Sequence, residues 1–174
     1  MPRDFGENGR NSVEIKTEVL TAIVSLSTHR CFPGQELGTT LEVRLKPGWH
    51  IYGEPLPKEY QATQLTFEDP RVDEQSLEMP PPKPMLLKVL DETLPVYEAK
   101  IRAIGKLGIR WSPPMPVKFL EPLGKLIEPG LYHINGTFRF QACSDEVCEA
   151  PQTIRFQLPL TIEAGIPAAA KKPE

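Results

Sequence analysis

Apolar and polar residues alternate with a period of two along most of this chain. In LEVRLK, Leu41, Val43 and Leu45 stand against Glu42, Arg44 and Lys46. In YEAKIRA, Tyr97, Ala99, Ile101 and Ala103 stand against Glu98, Lys100 and Arg102. Tyr132, Ile134, Phe138 and Phe140 share one face of YHINGTFRFQ, and His133, Asn135, Thr137, Arg139 and Gln141 share the other. Ile154, Phe156, Leu158, Leu160 and Ile162 repeat the pattern in TIRFQLPLTI. Such alternation predicts strands with one buried and one wet face. Shorter strands are expected at 18–26, 64–68, 85–90, 108–111 and 116–120. Pro-Gly pairs at 33–34, 47–48 and 129–130 and the stiff PPPKP at 80–84 punctuate them. Eight or nine short strands separated by such turns predict an all-β, immunoglobulin-like antiparallel β-sandwich. Pro159 cannot donate to a ladder, so the last strand is expected at an edge or with a bulge. There is no internal repeat, and no helix longer than a turn or two is expected.

Composition narrows the picture. Leu, Ile, Val and Phe make up about a quarter of the 174 residues, enough for a real core. Proline, at 20 residues, is about twice its average usage and argues against a helical bundle. Five of those prolines fall within 112–129, which reads as an irregular excursion. A net charge of −3 offers no basic excess for nucleic acid. No apolar run approaches the roughly 18 residues of a membrane span. Residues 1–12 are polar without an apolar signal-peptide stretch and read as a flexible N-terminal segment; 164–174 reads as a linker or tail. The folded domain is expected over 13–163. Position along the chain leaves two addresses open, the cytoplasm or an exported protein whose signal has been removed.

The cysteines carry the candidate chemistry. There are three, Cys31, Cys143 and Cys148. Cys143 and Cys148 lie in QACSDEVCEAP between the two best-patterned strands, which places both thiols at the tip of a hairpin where a disulfide is sterically feasible. Three readings compete. A structural staple across a six-residue loop contributes only about 2 kcal/mol on chain-entropy grounds. A metal site is disfavoured by a Cys-x4-Cys spacing wider than the usual zinc knuckle, by the lack of a second cysteine pair, and by the scatter of His29, His50 and His133. The third reading is an exposed, reducible dithiol. Asp145, Glu146 and Glu149 flank the sulfurs and disfavour thiolate, so the thiols are expected to titrate high. A pair of that kind suits being attacked as a disulfide by a partner's thiolate. It suits a relay better than a broad oxidant.

QACSDEVCEAP, with PGWHIYG about ninety residues upstream and a β-rich tail, resembles the N-terminal periplasmic domain of the thiol:disulfide interchange protein DsbD. The likeness covers about 19–162, and its specific parts are the cysteine hairpin and PGWHIYG. It implies an immunoglobulin-like fold whose redox pair is Cys143 and Cys148. It implies electrons received from a DsbD-type membrane electron transporter and thioredoxin-like modules, then passed to thioredoxin-fold acceptors among disulfide isomerases and cytochrome c maturation proteins. It implies a periplasmic, monomeric protein without cofactor or metal, with Cys148 forming the mixed disulfide and Cys143 resolving it. His50 and Tyr52 fall where the family places aromatic residues beside the pair. Asp91, Glu92, Thr93 and Leu94 resemble an acidic cap loop that shields the disulfide. The family's best-known members have five residues between the cysteines where this chain has four, and the cap aromatic is missing, so Leu94 or Tyr97 would have to serve. The electron donor would be a separate protein or another part of a longer one.

The plainer expectations stand beside these. Trp49 and Tyr52 are core residues by default, and His50, alternating with them, reads as a surface histidine without a role. Asp91 and Glu92 read as a solvated turn, and Cys31 as a buried or half-buried free thiol with no function. The alternatives to a relay are a non-catalytic immunoglobulin-like interaction domain with a structural disulfide, and a metal-handling domain.

Overall fold

The computed structural model describes residues 11–112 and 126–164. The strand expected at 116–120 lies outside them. The described residues form strands joined by turns, without a helix. In chain order these are β1 (Asn11–Lys16), β2 (Leu20–Leu26), β3 (Arg30–Cys31), β4 (Glu36–Leu45), β5 (His50–Tyr52), β6 (Gln64–Phe67) and β7 (Val72–Glu78). They continue as β8 (Lys83–Leu87), β9 (Glu92–Glu98), β10 (Lys100–Ile109), β11 (Gly130–Phe140), β12 (Ala142–Cys143) and β13 (Gln152–Ile162). One sheet has the order β1-β2-β4-β10-β7 and a second β3-β13-β11-β6. The two make an immunoglobulin-like sandwich, antiparallel except for the short β3–β13 pairing. A third sheet of shorter strands has the order β12-β5-β9-β8.

The alternating positions do what alternation requires. Leu20, Ala22, Val24 and Leu26 on β2, Leu41 and Val43 on β4, and Leu107 and Ile109 on β10 line one wall of the core. Ile134, Phe138 and Phe140 on β11 and Phe156, Leu158, Leu160 and Ile162 on β13 line the other. Each of these side chains except Ala22, fully withdrawn from water, contributes roughly 1.5–3 kcal/mol before the entropy of ordering it is counted. Pro159 pairs with His133 of β11 on its inner side, while β3 covers only Thr161 and Ile162 on the outer side. The last strand is therefore an edge along most of its length, as its proline demands. The buried Asn11 amide donates to the Pro159 carbonyl. That contact helps to order the first strand from Asn11, two residues before the expected start of the domain.

Alternation misled at one place. The pattern through Tyr97, Ala99, Ile101 and Ala103 reads as one strand face, but Ala99 is exposed and has φ 61°. This left-handed residue turns the chain from β9 in the small sheet into β10 in the large one. Tyr97 and Ile101 both still reach the core, so the periodicity survives a break that it cannot register. The strand expected at 108–111 is the end of β10, which stops at Ile109.

PGWHIYG is a local device. Gly48 at φ 85° supplies the left-handed position after Pro47, and the Trp49 amide closes the turn on the Lys46 carbonyl at 3.1 Å. Gly53 ends the motif where a Cβ would stand 2.7 Å from Pro82. Between the two glycines runs β5, buried at all three residues.

Candidate functional site

The small sheet has two faces with different company. Ile51, Tyr97 and Ala142 point into the main core. Their neighbours Tyr52, Val96 and Cys143 point the other way and join Leu87 and Leu94 in a separate apolar cluster. Leu56, Tyr60, Met85, Leu90 and Cys148 pack around it. The ladder register explains the split: His50 pairs with Cys143 and with Glu98, Tyr52 with Val96, and Met85 with Leu94. Residues directly opposed on antiparallel strands share a face.

Cys143 and Cys148 are joined as a disulfide and are also antiparallel bridge partners. They lie in the connection between β11 and β13, at the hairpin tip. Ser144 folds the four residues between them into a tight turn. Its amide donates to the Val147 carbonyl at 2.8 Å, and its hydroxyl accepts from the Val147 amide at 3.1 Å. Cys143 is fully buried, Cys148 is half-buried, and Asp145, Glu146 and Val147 are exposed beside it. The two cysteines are therefore not equally accessible.

Tyr52 sits against both. Its hydroxyl lies 3.0 Å from Cys143 Sγ and 3.7 Å from Cys148 Sγ. Burial first, then Tyr60 and Glu92, push its phenol up to about 12. It remains a proton-bearing donor at any ordinary pH. The default reading of Tyr52 as sandwich core is thus replaced: it is buried, but in the disulfide's cluster.

The resemblance anticipated a cap from 91–94. Asp91 alone lies in the turn, exposed and at φ 52°; Glu92, Thr93 and Leu94 are already in β9. Leu94 is buried in the disulfide cluster, whereas Tyr97 faces the main core and donates to the Pro80 carbonyl at 2.7 Å. A second aromatic at the site is Tyr60, which no sequence motif marks. Its ring lies 5.4 Å from that of Tyr52, and its hydroxyl donates to Glu92 Oε1 at 3.3 Å. Tyr60 comes from 53–63, a compact loop that leaves and rejoins the sheet at Tyr52. The Thr63 amide and hydroxyl both return to the Tyr52 carbonyl, at 2.9 and 2.8 Å. Buried Gln141 ties this loop to the cysteine segment. It accepts from the Gln61 amide at 2.9 Å and donates to the Glu149 carbonyl at 3.1 Å. The one available signal for Tyr60 was an aromatic in a loop opened by Pro55 and Pro57.

His50 also departs from expectation. It is 8% exposed rather than a surface residue, because β5 lies between β9 and β12. Its Nε2 stands 3.4 Å from Glu98 Oε2, and Lys83 pairs with the other oxygen of that carboxylate. Lys83 first, then burial opposing it and His50 assisting, leaves the Glu98 carboxyl below its ordinary range. Cys31 lies apart in the main core, where burial and then Glu163 push its thiol up to about 12. Among the described residues no three His, Cys, Asp or Glu side chains are grouped as a metal ion would require, and no helix is long and apolar enough to cross a membrane.

No family model and no curated protein matches this chain. Among solved structures it is similar to the N-terminal periplasmic domain of ScsB from Proteus mirabilis. The TM-score is 0.58 at 13% identity, over 88% of this chain and 51% of that one. The chain thus spans about half the length of that neighbour, and the likeness is one of fold. The GAE domain of yeast GGA1 also aligns, over 83% of this chain and 96% of its own, at 11% identity and a TM-score of 0.41.

Proposed function

We propose that this domain is a thiol–disulfide relay that passes reducing equivalents through Cys143–Cys148 to thioredoxin-fold acceptors in the periplasm. The observation that carries the reading is the asymmetry of the pair: a half-buried Cys148, a fully buried Cys143, and the Tyr52 hydroxyl 3.0 Å from the buried sulfur. A structural staple has no use for a proton donor held on one of its sulfurs. The fold shared with a periplasmic domain supports the location.

The chemistry follows from exposure. A donor thiolate attacks Cys148 Sγ, the accessible sulfur. The bond to Cys143 breaks and its electron pair leaves on Cys143 Sγ, where the Tyr52 hydroxyl stabilises the developing charge. The donor's second thiolate then displaces Cys148 from the mixed disulfide, and the domain is left as a dithiol. In the second half, Cys148 thiolate attacks an acceptor's disulfide. Cys143 then attacks Cys148 Sγ, re-forms the bond and releases the acceptor reduced. Tyr60, Leu94 and Leu90 wall the pair with apolar surface, while Glu92, held by the Tyr60 hydroxyl, puts a carboxylate beside that wall. A membrane-embedded electron transporter of the DsbD kind is the proposed source of electrons.

Equilibration with glutathione tests this. A relay disulfide is expected to have a reduction potential well above about −300 mV, and reduction should leave the sandwich folded, since the loop it closes contributes only about 2 kcal/mol. A potential below about −300 mV, or unfolding by dithiothreitol at room temperature, would return the pair to a structural role in an interaction domain.

A further inference from the structure

Among the described residues, His50 Nδ1 is the buried side-chain nitrogen that lacks a hydrogen-bond partner. It belongs to a residue directly opposite Cys143 in the β5–β12 ladder. That pairing sets the two Cβ atoms about 4.5–5.5 Å apart on the same face. The other ring nitrogen is occupied, with Nε2 at 3.4 Å from Glu98 and Glu98 held in turn by Lys83. A carboxylate can only accept, so in the neutral imidazole Nε2 carries the proton and Nδ1 presents a lone pair. A disulfide sulfur has no proton to give it. A thiol does.

We propose that Nδ1 of His50 accepts a hydrogen bond from the Cys143 thiol once the disulfide is reduced, so that His50 is a positioning residue that favours the dithiol state. The inference rests on the relay reading. Reduction breaks the Sγ–Sγ bond and adds two electrons and two protons to the pair, while the donor dithiol becomes a disulfide. One proton resides on Cys143 Sγ and is shared with Nδ1; the other goes to Cys148. In the oxidised state the orphan nitrogen is a penalty, and in the reduced state it is satisfied. The groups facing His50 are Glu98 on β9, Lys83 on β8, Cys143 on β12 and Tyr52 two residues along its own strand. None of these but Cys143 gains a new donor on reduction.

Three substitutions separate this role from mere packing. Asn places its Oδ1 where Nδ1 stands; Gln extends its amide towards the Nε2 position; Leu keeps bulk and removes both. Against glutathione, His50→Leu and His50→Gln are expected to make the pair about tenfold harder to reduce, equivalent to about 30 mV, while His50→Asn stays near wild type. The Nδ1 nitrogen of wild type should also shift in 15N spectra on reduction, in the direction of an accepted hydrogen bond. Equal potentials for the Asn and Gln variants, or an unmoved Nδ1 resonance, would overturn the proposal while leaving an oxidising wild-type pair, and hence the relay, intact. If the Leu variant does not fold, the Asn–Gln contrast decides. If the wild-type potential itself lies below about −300 mV, the relay reading falls, and the Nδ1 shift under forced reduction still decides the contact.

Discussion

Cys31 and Cys143 are both buried at the end of a strand, yet one sulfur stands alone and the other is bonded to a half-buried second sulfur. Cys31 is packed among the aliphatic side chains of the sandwich, 1% exposed, with no second cysteine near it. Its ionisation is opposed by burial and by Glu163. Cys143 is as deeply buried, but it has a half-buried sulfur bonded to it and a hydroxyl on it. Burial alone therefore does not decide a cysteine's chemistry. What decides it is whether the buried sulfur can leave, and whether something polar is waiting when it does.

The largest effect should come from exchanging sulfur for oxygen. Cys143→Ser and Cys148→Ser are each expected to reduce electron transfer to a thioredoxin-fold acceptor to background, while Cys31→Ala turns over like wild type. Only Cys143→Ser should trap a mixed disulfide readily, because it leaves the accessible Cys148 free. Normal turnover by either hairpin variant would dissolve the contrast. A second test compares one aromatic from each cluster. Phe138→Ala in the main core should cost about 3–5 kcal/mol in denaturant unfolding. Tyr52→Phe should cost about 1 kcal/mol but slow reduction of the disulfide roughly tenfold or more, as loss of a hydrogen bond to a forming thiolate implies. If both variants merely destabilise, the small cluster is only more core.

The smallest effect is in alkali. The Cys31 thiol goes from an ordinary 9.0 to about 12 in the folded protein, so the folded state keeps its proton longer than the unfolded chain does. The resulting stability is fully present below pH 9 and is lost as the pH rises from there towards about 12. Denaturant midpoints at about pH 8 and about pH 11 should fall further apart in wild type than in Cys31→Ala. Tyr52, raised from 10.0 to about 12, adds a similar but later loss that Tyr52→Phe would remove.

Much of the sandwich was legible because each long strand has one wet face. β4, β10, β11 and β13 announced themselves by alternation, and the hairpin carrying the cysteines followed from the last two. β7 escaped: VDEQSLE is an edge strand exposed at nearly every position, so burial wrote no period into it. β9 escaped because Pro95 and the acidic start disguise a strand whose outer neighbour is only a hairpin arm. In the site, the pairing of Cys143 with Cys148 was reachable from motif and spacing, and Tyr52 only through the family resemblance, since its own pattern reads as core. The burial of His50 and the arrival of Tyr60 were not. Both depend on which strand lies alongside, and the loop that delivers Tyr60 is fixed by Gln141, about eighty residues distant in sequence.

The double-sided small sheet has a consequence for how such a sequence can change over time. β5 has three residues and β12 two, and each carries one side chain for the core and at least one for the site. Gain or loss of a single codon within them would exchange the two sets at once, sending Tyr52 and Cys143 into the sandwich and Ile51 and Ala142 out of it. The turn 144–147 and the loop 53–63 carry no such alternation. Length variation among descendants should therefore collect in those two segments, including between the cysteines, while the strands that hold them admit substitution but not insertion.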